Sequence, residues 1–148
     1  MKNHLTINIS KVILNLMSVV LSFFSVCSLF DILSGKFTQN ILSTFIICLI
    51  YLLIILDLRK IIYSTNLTPF CSSNVKRFKN IGYKIFLMAI IDGVTNLHVK
   101  SYFTFLGSEN ASLKASFFMY LLLACVAFVL AEIFEKAVEI KNENDLTV

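Results

Sequence analysis

Three stretches of this 148-residue chain, residues 12–33, 41–63 and 115–134, are apolar over lengths that reach across a bilayer. About 20 predominantly apolar residues carry a helix through roughly 30 Å of hydrocarbon. In that solvent each backbone N–H and C=O must be satisfied within the segment, so such blocks become helices. Composition points the same way: 57% of residues are hydrophobic, 15% are charged and the mean hydropathy is +0.82. Soluble domains run at about 45–50% apolar and about 25% charged. A fourth and least apolar block, residues 81–105, completes the set. The expected fold class is all-α, one four-helix transmembrane domain over residues 1–148 with a polar loop at 64–80 and a tail at 135–148.

The first block is longer than the core of a signal peptide. Asp31-Ile-Leu-Ser-Gly-Lys36 after it offers no convincing cleavage site, so it reads as a retained helix. Ser18, Ser22 and Ser25 recur along it at helical spacing. Small residues on one face let neighbouring helices approach closely in lipid. Residues 34–40 and 107–114 are short polar turns, which makes the first pair and the last pair of spans antiparallel neighbours.

Orientation follows from the bases. With four spans both termini share a side with the central loop. Lys2, Lys11, Arg59, Lys60, Lys76, Arg77, Lys79, Lys84, Lys136 and Lys141 fall on that side, against Lys36, Lys100 and Lys114 on the other. Lys and Arg are retained in the cytoplasm, so the loop and both termini are expected there. The net charge of +4 is spread along membrane flanks, which makes direct nucleic-acid binding a poor reading.

The two polar segments on that side are complementary. Residues 59–84 hold six bases and no acid, whereas residues 132–148 hold five acids and two bases. Loop and tail are therefore expected to dock, although exposed ion pairs contribute only about 0–1 kcal/mol each. Thr68-Pro69 blocks helix, and Ser72 or Ser73 is the expected N-cap of the helix that follows. Val75, Phe78, Ile81 and Ile85 then share a face, with Lys76, Arg77, Lys79 and Lys84 around the others. The plainest role for that basic face is attraction to anionic lipid headgroups. After Phe134 the last helix continues with a charged surface and an apolar side.

The third span carries Asp92, placed near mid-membrane if the span starts at Ile81, with Asn96 one turn later. A carboxylate at that depth costs about 2.5–3.5 kcal/mol on insertion scales, so it faces the bundle interior, finds partners or is protonated. Asp92 and Asn96 are the candidate intramembrane polar site, and the alternative is a polar network that locks helix packing.

Catalytic and metal signatures are not found in the sequence. Cys27, Cys48 and Cys125 lie in apolar blocks and Cys71 in the loop, with no Cys-x-x-Cys, and His4 and His98 are remote from them. Buried cysteine behaves as a small hydrophobe, and thiol oxidoreductases need paired cysteines. No nucleophile–base pair and no Gly-x-Gly phosphate loop occurs. No metal, cofactor or enzymatic activity is expected. Three glycosylation sequons, beginning at Asn8, Asn66 and Asn110, are given no weight.

The segment Thr68-Pro-Phe-Cys-Ser-Ser-Asn-Val-Lys-Arg-Phe-Lys-Asn-Ile-Gly-Tyr83 and the pieces Leu130-Ala-Glu-Ile-Phe134 and Lys141-Asn-Glu-Asn-Asp-Leu-Thr-Val148 resemble the loop and tail of the YoaS-like family. Those are small bacterial four-helix membrane proteins without an assigned activity. Here Thr68 stands where the family usually has Asn, Cys71 where it has Ser, and Ser73 where it has Glu. The resemblance implies a multi-pass protein of the bacterial cytoplasmic membrane. Family members often sit beside genes for small helix-turn-helix regulators, which implies such a protein as partner.

The expected function is therefore non-enzymatic, with the lipid bilayer and a small DNA-binding regulator protein as partners. Pro69, Phe70, Asn74, Lys76, Arg77, Glu132, Asn144 and Asp145 are the candidate partner-binding residues. The alternative is a small transporter or immunity-type protein that uses Asp92 and Asn96. Homo-oligomerisation is compatible with either reading.

Overall fold

The computed structural model describes residues 3–35, 38–64, 70–96, 104–108 and 111–146. Four helices dominate them: α1 (Asn3–Leu33), α2 (Gln39–Ser64), α3 (Ser72–Asn96) and α4 (Ala115–Leu146). A two-stranded antiparallel hairpin, β1 (Thr104–Ser108) and β2 (Ala111–Lys114), lies between α3 and α4 in the chain. Three of the helices contain segments long and apolar enough to cross a membrane: Leu5–Leu33, Ile41–Ser64 and Ala115–Asn144. These mark a membrane protein. The α3 helix, interrupted by Lys76, Arg77, Lys79, Lys84 and Asp92, is not among them.

The backbone divides into two compact units, residues 1–69 and 70–148. The first is the hairpin of α1 and α2. Gly35 ends α1 with φ +79°, a left-handed conformation that costs glycine little, and the Ser34 N–H donates back to the Phe30 carbonyl at 2.9 Å. Thr38 opens α2, its carbonyl accepting from the Ile41 and Leu42 N–H groups. Along α1 the large apolar side chains point outward, with Val19, Phe23, Val26 and Phe30 all at least two-thirds exposed. Unburied apolar surface of that extent suits contact with hydrocarbon. The serines are satisfied within the helix: Ser22 Oγ donates to the Ser18 carbonyl at 2.7 Å, and Ser28 Oγ to Phe24 at 2.8 Å. Such back-bonding removes the hydroxyl's cost in lipid. Ser18 is buried, and its hydroxyl donates to the Asn15 carbonyl.

The second unit pairs α3 and α4 in antiparallel fashion. Phe78 meets Phe134 with ring centroids 4.9 Å apart, Tyr83 meets Phe128 edge-on at 5.1 Å, and Asp92 meets Ser116. Two glycines of α3 let the backbones come close. A Cβ on Gly82 would stand 2.7 Å from the Phe128 ring, and one on Gly93 would stand 3.2 Å from Phe117. Eleven residues separate the contact points on each helix, so the two glycines stand about three turns apart on one line of α3. Buried positions along α4 are small: Ala124, Ala127 and Ala131.

Three sequence expectations need correction. The third span, expected to run as helix from Ile81 to Phe105, is not helical to its end: α3, which begins at Ser72 as its capping signal implies, covers it to Asn96, and Thr104 and Phe105 belong to β1. Residues 107–114 are not a plain turn, because Gly107 pairs with Ser112 and Ser108 with Ala111. Thr104, Phe105 and Leu106 in β1 and Leu113 in β2 are residue types compatible with strand. The N-cap of α3 is Cys71 rather than Ser72 or Ser73, since the Cys71 carbonyl accepts from the Asn74 and Val75 N–H groups at 3.0 and 3.4 Å.

Candidate functional site

The cationic start of α3 and the acidic second half of α4 stand side by side in the second unit. The side chain of Lys79 reaches across to Glu135, Nζ lying 3.0 Å from Oε1 and 2.8 Å from Oε2. This hydrogen bond raises the Lys79 pKa above the usual lysine value of 10.5. Both side chains are two-fifths exposed, so solvent screens the pair and it orients more than it stabilises. A second pair, Lys136 with Glu132 at 3.7 Å, lies along α4 itself at greater exposure. The expected docking of loop and tail is thus realised through Lys79 and Glu135.

Beside that bridge runs an open groove of about 490 Å³. Lys76 and Lys79 line it from α3, Glu135 and Glu139 from α4, and Val75 and Val138 supply apolar surface. Such a cleft suits an amphipathic segment with charges of both signs. In the same unit is an aromatic cluster, in which Phe70, just before α3, and Phe78 of α3 both pack against Phe134 with centroids 5.7 and 4.9 Å away. Phe70 leaves almost half of its surface exposed.

The cap of α3 forms the third part of the site. Cys71 Sγ lies 3.1 Å from Ser73 Oγ, and that hydrogen bond is the main cause of a thiol pKa below its usual value of 9.0. Burial opposes it, and the backbone N–H groups of Asn74 and Ser73 and the charge of Arg77 add smaller contributions in the lowering direction. The thiol thereby takes the acceptor role that a serine or aspartate side chain has at most helix starts.

The candidate partner-binding residues separate into several groups. Lys76 is exposed and lines the groove, while Phe70, nearly half exposed, belongs to the aromatic cluster and Glu132 is exposed on α4. Asn74 is wholly buried and accepts a hydrogen bond from Arg77 Nη1 at 2.9 Å, so it anchors the start of α3 and presents no surface to a partner. Asn144 is exposed near the end of α4, and the side chain of Asp145 and all of Pro69 lie outside the described residues. Glu135, Val138 and Glu139, which line the groove, lie within the segment 132–148 expected to bind but are not among its singled-out residues. The signal for them was present in the acidic periodicity of the tail, whose i, i+3 and i+4 spacing puts Glu132, Glu135 and Glu139 on neighbouring faces.

Asp92 does not sit at the middle of a helix pair. It lies one turn before the end of α3 and accepts a hydrogen bond from Ser116 Oγ at 2.6 Å, Ser116 being the second residue of α4. Its neighbour Thr95 donates back to the Ile91 carbonyl at 2.7 Å. The helix that carries Asp92 begins at Ser72, nine residues before Ile81. The Asn96 side chain lies outside the described residues. The carboxylate, partly buried and already hydrogen-bonded, acts as a latch between the far ends of α3 and α4.

Among the described residues no cluster of three His, Cys, Asp or Glu side chains could hold a metal ion, and all four cysteines are free. No curated protein and no solved structure matches the chain. A family model does match, over residues 6–148, and its description is "Protein of unknown function (DUF2975)". Nearly the whole chain, both helical units included, is covered, and the protein belongs to that uncharacterised family.

Proposed function

We propose that this protein is a non-enzymatic membrane component that holds a protein partner at the cytoplasmic face, in the groove between the start of α3 and the extension of α4. Within its family we place it with the YoaS-like members of the bacterial cytoplasmic membrane, on the loop and tail motifs. A small helix-turn-helix regulator is the concrete partner, as that resemblance implies. The observation that carries the reading is the mixed-charge groove, open to solvent, with Lys76 and Lys79 facing Glu135 and Glu139 over an apolar strip. Charge complementarity of this kind selects and orients a partner more than it adds affinity.

The topology we propose has four crossings and both termini in the cytoplasm, supported by ten bases against three. Hydropathy alone gives α3 no crossing. Its antiparallel pairing with α4, from Phe78 and Phe134 to Asp92 and Ser116, supports a path alongside that helix. In such a pair the cationic half of α3 matches the acidic half of α4 outside the hydrocarbon. The more apolar stretch from Ile85 to Val94 runs beside α4's apolar half.

Affinity purification of the full chain from its native membrane, against a form lacking residues 145–148 and a Glu135→Lys, Glu139→Lys form, tests the reading. One small DNA-binding protein recovered with the intact chain and lost with both variants is the expected result. Recovery of no specific protein at low salt in repeated trials, with the variants equally inserted, overturns it. The transport or immunity reading would then rest on Asp92, whose conversion to Asn must abolish the phenotype.

A further inference from the structure

At the open end of the first unit, two cations from different helices converge on one aromatic ring. Lys11 Nζ of α1 lies 5.1 Å from the centroid of Tyr63, and the Arg59 guanidinium of α2 lies 5.6 Å from the same centroid. Lys60 adjoins them, and Leu56, Arg59, Lys60 and Tyr63 line an open cavity of about 510 Å³. The position along the helices is informative. Lys11 directly precedes the apolar run of α1, and Arg59 and Lys60 follow the long uncharged apolar run of α2 that ends at Leu56, with only Ile61, Ile62 and Tyr63 beyond them before the helix ends at Ser64. The cluster therefore stands at the boundary where hydrocarbon gives way to headgroups, the level at which tyrosine concentrates.

A single ring attracts a cation through its quadrupole, yet it does not cancel the repulsion between two. With each cation close to the same centroid, the pair lies within about one Debye length, roughly 10 Å at 0.1 M salt. Lys11, Arg59 and Lys60 bring three positive charges, and Asp57, the acid one turn before Lys60, brings one negative charge, leaving an excess of two. That excess calls for an anion. Its chemistry follows from the donors: a guanidinium fork and ammonium groups match the oxygens of a phosphate, and the apolar flank of Leu56 and the helix below it matches an acyl chain.

We infer that Lys11, Arg59, Lys60 and Tyr63 form a binding site for the headgroup phosphate of an anionic phospholipid. The site holds one lipid at the open end of the α1–α2 hairpin. All its residues belong to the first unit, and it does not depend on the groove proposed for a protein partner. Free inorganic phosphate offers the same oxygens, and the missing acyl chain distinguishes it.

Native mass spectrometry of the detergent-solubilised full chain, titrated with phosphatidylglycerol or with phosphatidylcholine, tests the site. The double variant Lys11→Gln, Arg59→Gln should lose affinity for phosphatidylglycerol by about thirtyfold, which is about 2 kcal/mol at roughly 1 kcal/mol for each charge near the surface. Its binding of phosphatidylcholine should be unchanged. The charge-retaining variant Lys11→Arg, Arg59→Lys should keep most of the affinity, so a general failure to fold is recognised. A Lys141→Gln control on α4 should bind as the wild type does. Equal phosphatidylglycerol binding in wild type and double variant overturns the proposal, as does parallel loss of both lipids. Displacement of the lipid by millimolar inorganic phosphate would reassign the site to a soluble anion and overturn the lipid assignment.

Discussion

Lys79 and Glu135, 56 residues apart in the chain, share two hydrogen bonds of 3.0 and 2.8 Å. They tie the start of α3 to the second half of α4 at the mouth of the proposed groove. Lys79→Gln should lower the thermal midpoint by less than about 4 °C, as befits a solvent-screened pair. The charge swap Lys79→Glu, Glu135→Lys should recover most of that loss, and a double-mutant cycle by differential scanning fluorimetry measures it. The pH dependence has a definite sign. The folded-state pKa of Lys79 is raised above 10.5, so the contribution is whole below that value and disappears as pH climbs through the higher one. The difference between wild type and Lys79→Gln should be constant through neutral pH and shrink only in strong alkali.

Gly82 is the tighter of the two close approaches between α3 and α4. Gly82→Ala places a methyl 2.7 Å from the Phe128 ring and should cost about 1–3 kcal/mol, the usual range for overpacking. Gly93→Ala meets Phe117 at 3.2 Å and should cost less. Chemical denaturation of the two variants in one detergent gives the order. Equal stability of wild type and Gly82→Ala would mean that the helices are farther apart than described.

Ser116→Ala removes the donor at 2.6 Å from Asp92. The loss should be about 0.5–1.5 kcal/mol, as for a typical intramolecular hydrogen bond. Asp92→Asn keeps an acceptor oxygen in place and should cost less. It should also leave partner recovery intact, because Asp92 and the groove lie at opposite ends of the α3–α4 pair. A fully stable Asp92→Asn protein that has lost its cellular activity would turn attention to an intramembrane site.

Cys71 provides a test of orientation without engineering. Its thiol is favoured in the thiolate form by Ser73, whereas Cys27, Cys48 and Cys125 lie in the apolar helices. A membrane-impermeant maleimide should therefore modify one cysteine, in inverted vesicles and not in intact cells. Ser73→Ala should raise the thiol pKa and slow the reaction at neutral pH. Labelling from the outer side would reverse the proposed topology.

The sequence showed α1, α2 and α4 clearly because lipid demands apolar residues on every face, and no loop reproduces that over 20 residues. The α3 helix was harder to place. Its charges are tolerated because Lys79 finds Glu135 and Asp92 finds Ser116, both partners distant in the chain. The strands β1 and β2 are five and four residues long, too short for alternation to rise above the neighbouring helical pattern. At the site, charge asymmetry announced that residues 59–84 and the tail would meet, though not which lysine and which glutamate. Asn74 carried no mark of burial, since asparagine is mostly an exposed residue type. The N-cap was misplaced by one residue because serine is the better capping type, and Cys71 holds the position through its carbonyl and thiol.

The 32 residues of α4 amount to about 48 Å of helix, some 18 Å more than the hydrocarbon is thick. Neither glycine nor proline interrupts them, and sharp bends in helices almost always need such a residue or a bulge. A force applied near Asn142 is therefore not absorbed by a hinge on its way down. Torque at the tail turns the same rod that carries Phe128, Phe117 and Ser116, so a load on its outer tip is felt at its far root.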